Sequence, residues 1–292
     1  MTELLSYYAG VMPKRKDRSH KGTYGTLAVM AGSYGMAGAA VLCARGAYRV
    51  GTGLVAVVSP ECNRLIIQTA VPEAIFTDNG DIANVVKIKN KANAFVIGPG
   101  FGIRRQPQHS LQWMLHNTEC PGVIDADGLN MIAEEPDMMP GLDKRTDEDG
   151  RPRLIFTPHF GEASRMIGKT VDEIMADPVD AAMRCARKYG VICVLKDLRP
   201  VITDGKEVWK NPTGCSGMAT AGSGDVLAGM IGGLLAQKVR PVDAARLGVY
   251  LHGRAGELAA KHLGEHSMLS SDIDKYIGIA IRELTDKDDK TE

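Results

Sequence analysis

The sequence predicts an α/β protein with a mainly parallel central sheet and helices on both faces. Short runs of β-branched and apolar residues recur along the chain, and most are followed by a stretch with helical periodicity. A strand that is apolar along its whole length is typical of a parallel sheet buried on both faces. Glycine and polar residues follow these runs, as expected where such strands end and their connections begin.

The predicted elements follow one another in a simple order. The strands cover residues 26–30, 54–58, 94–97, 122–125, 154–156 and 191–195. Small and apolar residues at helical spacing predict a helix over 37–50, which ends at Gly-Thr-Gly. The pair 200–203 and 207–209, joined across Asp-Gly-Lys, is typical of a hairpin. Two long helices are expected last, one from near Asp225 to about Gln237 and one from about Asp243.

One domain accounts for the chain. Its 292 residues, 44% hydrophobic and 24% charged, suit a single large α/β domain. We expect residues 1–20 to be a lead-in, residues 21–285 to form the domain, and residues 286–292 to be a disordered tail. The charge run at 14–18 is predicted to be a solvated surface segment rather than a nucleic-acid-binding arm.

Composition argues against several classes of partner. The 35 basic and 35 acidic residues give a formal net charge of zero, so no overall field favours nucleic acid or an anionic membrane. Six cysteines without a CxxC pair or zinc spacing indicate buried or half-buried free thiols. Neither a signal peptide nor an apolar run of about 18 residues is visible. We therefore expect a soluble, cytoplasmic protein with no nucleic-acid partner, no membrane partner and no dense carboxylate cluster for a metal.

Chemistry is expected at the carboxyl ends of the strands, where open parallel sheets bind their ligands. Glycine-rich or polar segments fall there, at residues 32–35, 98–102, 125–127, 157–162 and 196–197. A single glycine after a strand is an ordinary turn residue, but five such segments on one edge favour a binding site. Lys196, at the end of an apolar strand, is either a phosphate ligand or a plain surface lysine.

The sharpest motif is Gly-Ser-Gly-Asp at residues 222–225. It opens a helix, so the free backbone amides at Gly222, Ser223 and Gly224 and the positive end of the helix dipole favour phosphate oxygens. Asp225 adds a carboxylate beside them; a role as a helix cap alone leaves the preceding glycines unexplained. The motif is not a Walker A loop, which would end in Gly-Lys-Ser/Thr. This arrangement indicates phosphoryl transfer to a substrate hydroxyl, with Asp225 as the catalytic base.

Ten short segments in one order resemble a known family. They lie at residues 21–25, 31–33, 38–40, 97–100, 125–127, 157–159, 161–162, 194–196, 211–214 and 222–225. Together they resemble the ADP-dependent NAD(P)H-hydrate dehydratases, a repair family with the ribokinase-like fold. Gly-Ser-Gly-Asp alone indicates only the superfamily. Lys-Gly-Thr-Tyr-Gly at 21–25 with Thr-Pro-His-x-Gly-Glu at 157–162 is far more specific.

The resemblance implies a repair reaction. The substrate would be the 6S hydrate of NADH or NADPH, whose ring hydroxyl is phosphorylated from ADP to give AMP. Phosphate would then leave with electron push from the ring nitrogen, and NAD(P)H would be restored. Mg²⁺ is expected on the phosphates, mostly through water, and a homo-oligomer is implied. Because only about 20 residues precede the match, we expect the epimerase domain of many family members to be supplied by a separate protein.

The resemblance also implies two subsites. Substrate would be bound by Ala39, Gly102, His159 and Asp225. Nucleotide would be bound by Lys196, Asp197, Leu198, Arg199, Pro200 and Gly224, next to the amides of Gly222 and Ser223. His159 is also consistent with a surface or capping histidine, and Glu162 with a partner of the helix dipole.

The chain departs from the usual family pattern at two positions. Phe160 replaces a proline, which changes the stiffness of the substrate-side loop. Asp197 replaces a glycine, and a carboxylate beside the nucleotide costs phosphate affinity unless it points away; Arg199 would offset it.

Two other functions stay open. One is a ribokinase-like kinase of a vitamin-precursor alcohol, such as hydroxyethylthiazole or a hydroxymethylpyrimidine; the segments at 20–25 and 157–162 argue against it. The other is a catalytically inactive nucleotide-binding regulator. The intact Gly-Ser-Gly-Asp argues against inactivity, and the altered residue after Lys196 argues for it.

Overall fold

A nine-stranded sheet forms the centre of the computed structural model, which describes residues 2–103, 105–141, 145–147 and 149–286. The strands are β1 (Thr26–Met30), β2 (Leu54–Ser59), β3 (Ile75–Asp78), β4 (Ala94–Ile97), β5 (Gly122–Ile124), β6 (Leu154–Phe156), β7 (Ile192–Leu195), β8 (Val201–Thr203) and β9 (Val208–Lys210). Their order is β3-β2-β1-β4-β5-β6-β7-β8-β9. Neighbours from β3 to β7 are parallel, and β8 and β9 form the predicted antiparallel hairpin. The mainly parallel sheet is therefore confirmed.

Helices cover both faces of the sheet, also as predicted. They are α1 (Thr2–Val11), α2 (Ala37–Arg49), α3 (Arg64–Ala70), α4 (Ile82–Lys91), α5 (Arg105–Asn117), α6 (Asp127–Glu134), α7 (Phe160–Ile167), α8 (Val171–Ala176), α9 (Pro178–Tyr189), α10 (Ser223–Ala236), α11 (Pro241–Leu263) and α12 (Ser270–Thr285). Side chains of β1 alternate between two cores: Leu27 and Val29 lie in one with α2, α10, α11 and α12. Ala28 and Met30 lie in the other with α5, α6, α7 and α9. Both faces are apolar because both are buried.

Two elements were not expected from the sequence. The edge strand β3 mixes apolar and polar residues, and Ile75 is 49% exposed. Residues 2–11, within the expected lead-in, form helix α1. Its Tyr8 is buried, with the ring centroid 4.9 Å from that of Tyr250 on α11. The charge run at 14–18 is exposed, as predicted. Residues 287–292 of the expected tail lie outside the described residues.

The cysteines are free thiols, and their exposure differs from the expectation at one position. Cys43, Cys185 and Cys193 are buried and Cys120 and Cys215 are half-buried. Cys62 is exposed, because it lies in the short 3₁₀ turn Glu61–Asn63 at the surface. Within the described part of the chain, every helix is too short or too polar to cross a bilayer.

Candidate active site

The helix start predicted to bind phosphate lies at the carboxyl edge of the sheet. Gly222 is the N-cap of α10 and has a φ of 89°, and Asp225 is the third residue of the helix. Because the capping position belongs to Gly222, the structure does not support a role for Asp225 as a cap alone. The Ser223 amide already donates to the Thr220 carbonyl at 3.3 Å, so an anion would use the amides that follow it in the first turn.

A cavity of about 620 Å³ opens beside this helix start. Residues from two of the segments expected to bind nucleotide line it together: Lys196, Asp197, Leu198, Pro200, Ser223 and Gly224. The remaining wall comes from His159, from residues between Asn211 and Ala219, and from Leu227, Val249, His252 and Gly253. A site of this size, apolar on several sides with a few polar groups, is suited to a small-molecule ligand.

Three of the expected nucleotide residues make contacts within the protein. The Arg199 guanidinium donates from Nη1 to the backbone oxygen of Gly214, 2.8 Å away. Gly222 packs against Leu42 and Ser270, and a Cβ on it would lie 2.4 Å from Leu42 Cδ1. The Asp197 carboxylate accepts the amide of Leu198 at 2.7 Å, so one of its oxygens is satisfied within its own loop.

Lys196 is held by two buried carboxylates. Its Nζ lies 2.7 Å from Asp125 Oδ1 and 3.7 Å from Glu162 Oε2. Thr157 Oγ1 donates to the same Asp125 oxygen at 2.8 Å. Burial opposes the charge of Lys196, but Asp125 and Glu162 outweigh it and raise the pKa of the ammonium. Lys196 is therefore a fixed cation at the cavity and not a plain surface lysine.

The environment of Asp225 suits a base at neutral pH. Burial raises the pKa of its carboxyl to about 7, and repulsion from Asp125 adds to this while Lys196 opposes it. A general base is most effective when its pKa is close to the working pH. Asp225 and the amides predicted to bind phosphate belong to the same helical turn, which fixes the backbone positions of both.

Asp127 links the expected substrate side to this cluster. Its Oδ2 accepts the amide of Gly102 at 2.7 Å, and its charge contributes to the raised pKa of Asp225. The residue between the two aspartates, Ala126, has a φ of 46°, which is rare outside glycine and accompanies functional sites. Ala39 packs against the loop that contains Gly100 and Gly102, because a Cβ on Gly100 would come within 2.9 Å of the Ala39 Cβ.

His159 caps helix α7 and also lines the cavity. Its Nδ1 accepts the amides of Gly161 at 3.0 Å and Glu162 at 3.3 Å, while Glu162 Oε2 accepts the amide of His159 at 2.8 Å. This reciprocal box is the capping alternative left open by the sequence. Burial, together with the charge of Lys196, lowers the pKa of His159. The imidazole is thus neutral, with its proton on Nε2. Glu162 does more than meet the helix dipole, since it is buried and also faces Lys196.

Sequence patterns did not reveal the buried histidine in the cavity wall, His252. His252 on α11 is buried, and its Nε2 lies 3.4 Å from Ser223 Oγ. Burial lowers its pKa to about 4, so the ring is neutral. Its neighbours Leu247, Tyr250 and Leu251 form an apolar face, on which a histidine is usually a core residue. Only the contact with the Gly-Ser-Gly-Asp motif distinguishes it.

Comparisons with known proteins identify the family of the chain. A family model described as NAD(P)H-hydrate dehydratase matches residues 27–278. The ADP-dependent (S)-NAD(P)H-hydrate dehydratase of Neisseria meningitidis is 37% identical over 267 residues, which cover 90% of this chain and 87% of the relative. The bifunctional NAD(P)H-hydrate repair enzyme Nnr of Coxiella burnetii is 36% identical over 93% of this chain and 53% of the relative. The chain spans about half the length of such bifunctional relatives.

Solved structures show the same fold. The ADP/ATP-dependent NAD(P)H-hydrate dehydratase of Bacillus subtilis, co-crystallized with ATP/Mg²⁺, superimposes with a TM-score of 0.83 at 31% identity, over 96% of this chain and 97% of that one. A ribokinase-like protein of Enterococcus faecalis has the same TM-score at 24% identity, over 96% of this chain and 94% of its own, which shows the fold alone. The family model spans most of the domain, and the Neisseria relative is more than one-third identical over 87% of its own length. The chain therefore has the ribokinase-like fold and belongs to the NAD(P)H-hydrate dehydratase family.

Proposed function

We propose that this chain dehydrates the 6S hydrate of NADH or NADPH in an ADP-dependent reaction. The observation that carries the proposal is Asp225, a carboxyl with a pKa of about 7 on the helical turn that faces the cavity of about 620 Å³. The names of similar proteins, such as the Neisseria dehydratase, support the substrate class and the ADP dependence.

In the first step, Asp225 takes the proton of the substrate ring hydroxyl. The hydroxyl oxygen forms a bond to the β-phosphorus of ADP as the bond between that phosphorus and the bridging oxygen breaks, and AMP leaves. The ammonium of Lys196 and the amide of Gly224, two residues that line the cavity, would stabilise negative charge on the phosphoryl oxygens. The Ser223 amide would join them by exchanging its hydrogen bond to the Thr220 carbonyl for one to phosphate. Ala39, Gly102 and His159 are proposed to line the substrate side.

In the second step, the ester loses phosphate. The lone pair of the ring nitrogen expels phosphate from the neighbouring carbon, and transfer of a proton from the next ring carbon to solvent restores the double bond of NAD(P)H. Hydroxide is a poor leaving group at neutral pH, whereas phosphate is a good one. This difference explains why a kinase-like site serves a dehydration.

Mg²⁺ is proposed to enter with the nucleotide phosphates. Across the described residues, no group of three or more His, Cys, Asp or Glu side chains is arranged to hold a metal ion. Asp125 and Glu162 are already bonded to Lys196, which fits a metal ion held through phosphate oxygens and water. When bound, Mg²⁺ would supply positive charge against the transferring phosphoryl group.

The kinase of a vitamin-precursor alcohol receives less support. A hydroxyethylthiazole kinase of Pyrococcus horikoshii shares the fold with a TM-score of 0.65, but its 13% identity shows the fold alone. A homo-oligomeric state and a separate epimerase stay predictions from the family resemblance.

The test is regeneration of NADH from its hydrate by the purified protein with ADP and Mg²⁺. We expect Asp225→Asn to lower the rate by about a hundredfold or more while ADP binding is retained. Asp180→Asn is a matched control, because this exposed carboxylate pairs with Arg184 at the surface. Folded protein that binds nucleotide but regenerates no NADH with ADP or ATP would contradict the proposal.

A further inference from the structure

Gly214 is held on both sides by charged side chains. Its amide, in the peptide shared with Thr213, donates to Glu257 Oε1 at 3.0 Å, and its carbonyl, in the peptide shared with Cys215, accepts from Arg199 Nη1 at 2.8 Å. Gly214 has a φ of 125°, and a Cβ there would lie 3.0 Å from the backbone oxygen of Leu198. The position therefore requires glycine, and the two charges determine how its two flanking peptides are oriented.

Gly214 connects two segments that line the cavity. Arg199 belongs to the loop after β7, whose residues Lys196, Asp197, Leu198 and Pro200 line it. Gly214 belongs to a second segment, residues 211–219, most of which lines a further part of the wall. The Arg199 hydrogen bond therefore fixes the distance between the two segments.

Helix α11 supports the second segment. A Cβ on Gly256 would lie 2.3 Å from Met218 Sδ, so the segment packs directly on the helix. Ser216 Oγ is hydrogen-bonded to Glu265 in the turn after α11. The Glu257 carboxylate is itself oriented by Arg254, whose Nη1 lies 3.0 Å from Glu257 Oε2. The acceptor for the Gly214 amide is thus anchored and not a freely rotating surface side chain.

We propose that Arg199 and Glu257 are positioning residues for the nucleotide. They set the place of the cavity wall by holding the two peptides on either side of Gly214, and neither contacts the nucleotide. This inference rests on the proposed function only in taking the cavity as the ADP site. It gives Arg199 a different task from the direct contact that the family resemblance implies, and it gives Glu257 a task that no sequence motif suggested.

The affinity of the full chain for Mg²⁺·ADP, measured by titration calorimetry, tests the proposal without turnover. We expect Glu257→Ala and Arg199→Ala each to weaken ADP binding about ten- to hundredfold, the range that corresponds to loss of a hydrogen bond to a charged group. Because both side chains hold the same residue, Gly214, the double variant should bind ADP about as weakly as the weaker-binding single variant. Glu257→Gln keeps an acceptor for the Gly214 amide and should restore most of the affinity.

Glu283→Ala is the matched control. Glu283 Oε2 lies 2.8 Å from Arg254 Nε, so this variant disturbs the same ion-pair network but leaves the Gly214 contacts in place. We expect its ADP affinity to match that of the wild type. In steady-state kinetics, the Glu257 and Arg199 variants should raise KM for ADP and leave KM for the hydrate unchanged.

Three results would overturn the inference. Additive losses in the double variant would indicate that Arg199 contacts the nucleotide directly. Wild-type affinity for ADP in both single variants, or an equal loss of affinity in Glu283→Ala, would show that the contacts of Gly214 do not control binding. If Glu257→Ala does not fold, the exposed Arg199 still allows the comparison of Arg199→Ala with Glu283→Ala. A wild-type chain that binds no ADP would instead contradict the proposed function.

Discussion

Lys196 and Asp125 form a buried ion pair, 2.7 Å apart, between the carboxyl ends of two strands that are not neighbours in the sheet. This single ammonium is surrounded by the carboxyl groups of Asp125, Glu162 and Asp225. Carboxylates thus outnumber the cation, and adding a further negative charge is unfavourable. The imbalance, added to burial, explains why Asp225 retains its proton up to a pKa of about 7.

Replacing Asp125 by asparagine should lower the pKa of Asp225. The variant removes a repulsive charge and frees Lys196 to interact with Asp225, so the acid limb of kcat/KM should move to lower pH. Because Thr157 and Lys196 lose a charged acceptor, we also expect the free energy of unfolding to fall by about 1–3 kcal/mol. A pH–rate profile and urea unfolding check the two effects. An unshifted acid limb would show that Asp125 does not control Asp225.

The wild-type pH profile should report Asp225 directly. Since the base acts as the carboxylate, kcat/KM should be level above pH 7 and fall about tenfold per pH unit below it. The pKa of His252 is lowered to about 4, so its ring stays neutral across most of this range, and the pKa of His159 is lowered as well. Rates measured from pH 5 to 9 at fixed ionic strength test this. A profile that stays flat down to pH 5 would contradict the role of Asp225 as base.

Asp225→Asn should stabilise the fold at alkaline pH. The pKa of about 7 in the folded protein lies above the ordinary value of 3.8, so the unfolded state loses this proton first. Ionisation therefore lowers the free energy of unfolding as the pH rises between the two values. At pH 8 the cost is complete, and removing it should raise the free energy of unfolding on the order of 2–4 kcal/mol. Denaturant unfolding at pH 8 and pH 5 should show a gain that shrinks towards acid pH. An equal gain at both pH values would indicate a packing effect instead.

Local patterns predicted the parts of the molecule that depend on local interactions. The apolar strands and the Gly-Ser-Gly-Asp helix start could be found because each is specified by a few consecutive residues. Strand β3 was missed because an edge strand is exposed and keeps polar residues. Ser223 and His252 are 29 residues apart, and Gly214 and Glu257 are 43 apart. No periodicity or spacing reveals such contacts before the chain is folded.

Gly224 should be needed for the nucleotide site rather than for stability. A Cβ on it would lie 3.2 Å from Lys196 Nζ and 3.8 Å from Asp125 Oδ2, so a methyl group would displace the ammonium from the helix start. In a helix, alanine is otherwise favoured over glycine by about 0.5–1 kcal/mol. We expect Gly224→Ala to raise KM for ADP about tenfold with little loss of stability.

Gly278→Ala provides the comparison that separates the two effects of the methyl group. Gly278 lies within α12, where a Cβ would meet no atom within 4 Å. The variant should gain about 0.5–1 kcal/mol in free energy of unfolding and keep the wild-type KM for ADP. Thermal unfolding and steady-state kinetics on both variants complete the test. If Gly224→Ala also kept the wild-type KM for ADP, the Lys196 side chain would be able to move away from the new methyl group at no cost. The position of Lys196 at the helix start would then not be required for nucleotide binding.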